Sequence, residues 1–211
     1  MYFLTFSFIF VKNFVLKQFK YDVKEKFIKN IFIGGVARSG KGSLAELIKQ
    51  NCKDYNHMSL DYFTASLKQN FPETNIKTSV IIGDSSPKLA LLLSTVMNII
   101  NDKDEKYIID SAHIMPHDIL KYIDRDKWDV FFLGYPNTTA EEKIKIVLEK
   151  DSQFDWTHKK PYDEVYFRIS NLVRISKEIQ AECDKYGIKF IDTSVNFDEE
   201  INKVAEKYKS N

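Results

Sequence analysis

The run Gly35-Val36-Ala37-Arg38-Ser39-Gly40-Lys41-Gly42-Ser43 constrains this chain more than any other stretch. It fits G-x-x-x-x-G-K, with Gly42 set between the lysine and the hydroxyl residue. The apolar segment Ile31-Phe32-Ile33 before it reads as a buried strand, and the periodic Leu44, Leu47 and Ile48 after it read as a helix. Strand, glycine loop and helix in that order are the setting in which a loop cradles phosphate. Gly35 and Gly40 free the backbone for positive φ and close approach, and the amides of residues 37–43 then form an anion nest at a helix N-terminus. The expected nucleotide-contacting residues are Gly35, Ala37, Arg38, Ser39, Gly40, Lys41, Gly42, Ser43 and Leu44. Lys41 is expected to point into solvent and neutralise the β- and γ-phosphates, and Ser43 to ligate magnesium.

This loop resembles that of the P-loop small-molecule and nucleotide kinases, the group that includes adenylate, cytidylate, shikimate and uridine kinases. The resemblance is closest over residues 31–47. It implies ATP and magnesium as cofactors, Lys41 as a catalytic residue, and a three-layer α/β fold. Apolar strands expected near residues 31, 57, 108, 131 and 190 alternate with helices, which argues for a five-stranded parallel sheet with helices on both faces. By resemblance its order is 2-3-1-4-5. Residues 1–28 then read as an N-terminal extension, and 29–211 as one kinase domain with a lid near 151–168.

Two acids end apolar strands, where open parallel sheets bind ligands. Asn56–Leu60 reads as the second strand, followed by Asp61. The run Ser59-Leu60-Asp61-Tyr62-Phe63 resembles the S-x-D-D-F-Y signature of uridine kinase-like enzymes, with Tyr62 in place of the second acid. That resemblance implies a catalytic Asp61 facing the acceptor hydroxyl or the magnesium, although the residue also reads as a helix N-cap. Tyr107-Ile108-Ile109-Asp110 has the outline of a Walker B strand, and Asp110 is expected on the metal side, opposite Ser43. Adenylate kinases continue with D-G-F-P-R; this chain continues Ser111-Ala112-His113. The stretch Ile109–Pro116 is closer to the E-G-x-H-x-x-P of 2-phosphoglycerate kinases, and His113 reads either as an acceptor contact or as a turn cap. Residues 71–86 stand where such kinases carry an acceptor-binding insertion. Ser86 and Pro87 open a helix with Leu89, Leu92, Val96, Met97 and Ile100 on its core face.

Residues 117–127 suggest a helix, and Trp128–Gly134 a fourth strand. Thr138 or Thr139 caps the next helix, which runs to about Lys150 with Ile144, Val147 and Leu148 inward. Asp151–Asp163 occupies the lid position, and the resemblance implies a cation brought from there over the transferring phosphoryl group. Lys159, Lys160, Arg168 and Arg174 are the candidates; Arg168 is preferred as the catalytic one, since it lies near the start of the following helix, Asp163–Tyr186, which Gly187 ends. After the last strand come Asp192, Thr193 and Ser194, which the resemblance places beside the adenine ring. An amphipathic helix from Asp198 closes the chain.

A net charge of +1 over 211 residues leaves no nucleic-acid footprint. Cys52 and Cys183 have no metal-like spacing and read as reduced, half-buried thiols of a cytoplasmic protein. Residues 1–16 are apolar, but Lys12 and Lys17 cut the run short of the roughly 20 residues a membrane span needs, and the flanks do not fit a secretory signal. That leaves a packed extension, an upstream translation start or a membrane anchor. The expected partner is a small-molecule acceptor: a nucleoside, a nucleotide or a small phosphorylated acid. Two other readings compete, a nucleotide hydrolase or switch and a non-catalytic nucleotide-binding module. Against the switch, the chain has no N-K-x-D motif and has Ser111 where many ATPases place a glutamate.

Overall fold

The computed structural model describes residues 28–77, 85–103, 105–149, 152–153 and 155–209. The apolar segment 1–16, the basic stretch up to residue 27, residues 78–84 of the acceptor insertion, and Lys150, Asp151 and Phe154 lie outside the described residues.

Five strands, β1 (Asn30–Gly35), β2 (Tyr55–Ser59), β3 (Lys106–Asp110), β4 (Trp128–Gly134) and β5 (Lys189–Asp192), form one parallel sheet in the order β2-β3-β1-β4-β5. The expected topology is therefore the observed one. Every residue of β1 is buried, as a central parallel strand covered on both faces must be. Successive side chains alternate between faces. Ile31 and Ile33 meet Leu44, Ala45 and Ile48 of α1 (Lys41–Asn51) and Ile201 and Val204 of α7 (Phe197–Ala205). Phe32 faces the opposite layer, which takes Leu89, Leu93 and Met97 of α3 (Ser86–Asn101), Ile144 and Val147 of α5 (Ala140–Glu149), and Ile169 and Ile179 of α6 (Tyr162–Tyr186). Leu60 anchors α2 (Leu60–Asn70) in that second layer.

Two predicted helix ends form as expected. The Thr139 amide donates to the Glu142 carboxylate at 2.9 Å while the Glu142 amide donates to Thr139 Oγ1 at 3.2 Å, a reciprocal capping box at the start of α5. Gly187 closes α6 in the left-handed region, at φ 61°.

Elsewhere tertiary contacts redirect local tendencies. Residues 117–127 hold only the end of the one-turn helix α4 (Pro116–Ile119) followed by turns. Asp124 Oδ1 captures the Asp126 amide at 2.9 Å, a local bond that competes with helix continuation. Ser86 is the first residue of α3 rather than its cap. Its hydroxyl donates to Asp118 at 2.6 Å and accepts from the Met115 amide at 2.7 Å, tying α3 to α4. On α3, Leu93 is fully buried where Leu92 is only half-buried. On α5, Leu148 is exposed and Lys143 is buried instead, its Nζ 4.1 Å from the centre of the Tyr135 ring. The long aliphatic stem makes a lysine acceptable there. Both cysteines are fully buried, not half-buried. Burial, aided by Asp184 and Glu182, pushes the Cys183 thiol up to about 12, so it is inert.

Candidate active site

The loop between β1 and α1 depends on two glycines. Gly35 has φ 129° and Gly40 has φ 98°; a Cβ would meet the Leu133 carbonyl oxygen at the first and the Phe197 ring at the second. The loop is braced from both sides. The Tyr135 hydroxyl donates to the Ala37 carbonyl at 2.9 Å, and Thr193 Oγ1 donates to the Ser39 carbonyl at 3.2 Å. Within the loop, Ser39 Oγ and Lys41 Nζ both donate to the Val36 carbonyl, at 2.8 and 2.9 Å. Gly40 caps α1 with no side-chain hydrogen bond, so the helix N-terminus presents bare amides. Gly42 and Ser43 are exposed there. Leu44 turns its side chain into the core and spends its amide on the Gly40 carbonyl at 2.9 Å, so it supports the loop without offering a donor.

Lys41 departs from the solvent-facing placement expected of it. It is only 6 % exposed, folded back on Val36. Burial pushes its pKa down, and the carboxylates of Asp61 and Asp110 pull it part of the way back. The loop lysine, Asp110 at the end of β3 and Asp61 in the first turn of α2 thus form one electrostatic group.

Asp110 ends β3 in register with Ile33 of β1 and Ser59 of β2. It is buried, with Oδ2 2.7 Å from His57 Nε2 and Oδ1 accepting from Ser59 Oγ at 3.3 Å. Glu46 Oε1 lies 3.7 Å from the other ring nitrogen of His57. His57 and Ser59 were missed in the sequence reading. Their only signal is that they occupy alternate positions on β2, and the register with β3 is what aims that face at Asp110. Asp61 lies in the first turn of α2 with its side chain 46 % exposed. Its Oδ1 accepts from the Ala112 amide at 3.3 Å and lies 3.7 Å from His113 Nε2. Burial pushes the His113 pKa down; Asp61 opposes this and Lys41 reinforces it, so the ring is neutral near pH 7.

On the other side of the loop is an open cavity of about 260 Å³, lined among others by Arg38, Gly40, Ser43, Val147, Thr193 and Ser194. Asp192 serves it indirectly. Its carboxylate takes the Ser194 amide at 2.9 Å and Asn137 Nδ2 at 2.7 Å, which fixes the turn after β5. Arg38, at φ 62°, forms an ion pair with Asp155 and donates to the Val147 carbonyl at 3.1 Å. Asp155 also accepts from the Ser152 amide at 2.9 Å, so the segment after α5 is tied to the loop through Arg38. Arg168 pairs with Glu164 at 2.8 Å and lies 5.4 Å from the Trp156 ring centre. Lys160 pairs with the same Glu164 at 3.3 Å, Lys159 is exposed at φ 55°, and Arg174 pairs with Glu178 on the outer surface of α6.

No cluster of three or more His, Cys, Asp or Glu side chains among the described residues makes a self-contained metal cage. The Asp110 carboxylate at the end of β3 and the exposed Ser43 hydroxyl are hard oxygen donors. Such donors fit a magnesium ion that takes one carboxylate from the protein and completes its shell with phosphate and water.

No protein-family model matches this chain, and no curated protein sequence is significantly similar to it. Solved structures are similar to it. A shikimate kinase from Bacteroides thetaiotaomicron superposes with TM-score 0.53 at 12 % identity, over 85 % of this chain and 97 % of that one. A sugar kinase from Janibacter sp. HTCC2649 superposes with TM-score 0.52 at 15 % identity, over 87 % of this chain and 99 % of the other. At such identities the likeness shows the fold: this chain has the P-loop kinase fold.

Proposed function

We propose that this protein is a P-loop kinase that transfers the γ-phosphoryl group of ATP to a hydroxyl group of a small molecule. The observation that carries this reading is the buried Lys41, bonded to the Val36 carbonyl of the glycine loop and within the electrostatic field of Asp61 and Asp110. The fold shared with the shikimate and sugar kinases supports it.

In this reading the bare amides at the start of α1 and the Lys41 ammonium receive the phosphates, Lys41 exchanging the Val36 carbonyl for phosphoryl oxygens. Asp61 accepts the acceptor's proton, with neutral His113 beside it. Asp110, held by His57 and Ser59, stands on the metal side, and Ser43 adds a hydroxyl from the cavity side. Magnesium, when bound, neutralises charge on the β- and γ-phosphates. The base lies in the cavity against Thr193 and Ser194. Residues 151–168 form the lid, with Arg168 as the cation that closes over the phosphoryl group. Residues 29–211 make one catalytic domain, and the buried, reduced cysteines accord with a cytoplasmic setting. No described helix is long and apolar enough to cross a membrane. The acceptor is a nucleoside, nucleotide, sugar or small hydroxy acid.

The test is ADP release across an acceptor library. Turnover with ATP and magnesium alone should be slow and should rise with one acceptor class. Rapid ATP hydrolysis that no acceptor changes would replace the kinase with a nucleotide hydrolase.

A further inference from the structure

A second cavity, of about 360 Å³, opens at the amino ends of β4 and β5. It is roughly 20 Å from the phosphate loop along β1, at about 3.3 Å per residue. Its charged lining is Lys29, Arg125, Lys189 and Lys207 against the single carboxylate of Asp129. That carboxylate is already engaged: the Tyr208 hydroxyl donates to it at 2.8 Å, and Lys29 Nζ lies 3.9 Å away. Arg125 donates to the Gly187 carbonyl at 3.0 Å, and no carboxylate of the described residues forms an ion pair with it. Partial burial pushes the Lys189 pKa down and the neighbouring Lys207 adds to this, with Glu200 opposing.

Lysine on an edge strand is ordinarily a guard against strand pairing, and Lys189 alone would need no other account. Here the cations come from separate parts of the chain: the residue before β1, the turn before β4, the start of β5 and the turn after α7. Gathering like charges into one concavity costs repulsion that an anion relieves. A guanidinium fork and ammonium point charges are the donors that suit a tetrahedral oxyanion. The volume exceeds one phosphate, and Val130 and Val204 supply apolar wall for a small attached body.

We propose that this cleft is a second phosphate site, remote from the loop, that takes inorganic phosphate or the phosphate group of a small phosphomonoester. The site stands whether or not the loop transfers phosphoryl groups.

The experiment is calorimetric titration of the full chain with inorganic phosphate and, separately, with ribose 5-phosphate at low ionic strength. It compares wild type, Lys41→Ala, Lys189→Ala/Lys207→Ala and Lys189→Arg/Lys207→Arg. One binding event should survive Lys41→Ala, weaken by about tenfold or more in the double alanine variant, and return in the double arginine variant. Tighter binding of ribose 5-phosphate identifies the phosphomonoester as the ligand, and equal binding identifies free phosphate. Melting temperature controls for folding; both lysines are exposed, so it should hold. Wild type without an event beyond the one Lys41→Ala removes, or a double alanine variant that binds undiminished, overturns the proposal.

Discussion

Lys41 occupies a position that a bound phosphate would favour. An ammonium with a carbonyl as its hydrogen-bond partner and little access to water is costly, and the Asp61 and Asp110 fields offset only part of that cost. Lys41→Ala should therefore lower ADP release by roughly 10²- to 10³-fold, the usual loss when one preorganised charge donor goes. It should leave the melting temperature unchanged or raised, because a desolvated charge is removed. Unaltered turnover would take Lys41 out of the mechanism. The two acids should separate in their effects. Asp61→Asn should cut kcat by roughly 10²- to 10⁴-fold with magnesium dependence intact, as loss of a general base does. Asp110→Asn should shift magnesium dependence itself. His57→Ala should follow Asp110→Asn, weakening metal affinity by about 10- to 100-fold, because the ring fixes the carboxylate proposed for the metal side. Titrating ATP binding against magnesium or manganese checks all three. If Asp61→Asn shifts the metal curve as far as Asp110→Asn does, both acids are on the metal side.

At the scale of elements, two contacts join segments that sequence keeps far apart. Asp118 on α4 is buried and accepts from Ser86 on α3 at 2.6 Å, with Lys121 Nζ at 2.7 Å and His117 Nε2 at 3.3 Å. Burial alone would raise its pKa; the bonds from Lys121 and Ser86 and the field of His117 outweigh it and hold the carboxyl below its ordinary 3.8. A depressed acid stabilises the fold above its unfolded pKa and loses that contribution as pH falls through the folded one. Asp118→Asn should cost about 1–3 kcal/mol at pH 7, discounted for the exposed Lys121, and the gap to wild type should close as pH drops below about 3.8. Equilibrium unfolding at pH 7 and near pH 3 measures both; a gap that persists at low pH would show that the cost is one of packing. The second contact, Arg38 to Asp155, ties the segment after α5 to the phosphate loop. Asp155→Asn should speed amide exchange across residues 152–160 and change the KM for ATP while barely moving the melting temperature. Unchanged exchange there would mean that the ion pair does not hold the segment.

At the scale of the whole molecule, the sheet carries the glycine loop and the proposed active site at its carboxyl end and a basic cleft at its amino end. Removing residues 1–16 should leave a soluble protein that still binds ATP, because every element of the described fold begins at or after Asn30; insolubility or lost binding would make the segment part of the domain. The glycine loop, the strands and the strand-end acid Asp110 were legible in the sequence because each is written locally, in glycine spacing, apolar runs and the residue that ends a run; Asp61, expected to end β2, instead lies in the first turn of α2, because the strand stops at Ser59. The Thr139–Glu142 cap was legible for the same reason. The sheet order came from resemblance, and the parallel pairing bears it out. Other features rest on contacts between residues far apart in the chain. His57 and Asp110 meet only because β2 and β3 pair in one register, and Arg38 reaches Asp155 across a sequence separation of 117. Lys143 rather than Leu148 turns inward because Tyr135 offers its ring there. By itself the sequence determined the five strands, most of the helices and the glycine loop between β1 and α1, since these follow from short-range periodicity and backbone freedom; the helix expected over 117–127 is the exception. Only the tertiary structure decided which side chains meet at the loop and that its lysine is buried, because register and packing bring together residues that no local window contains.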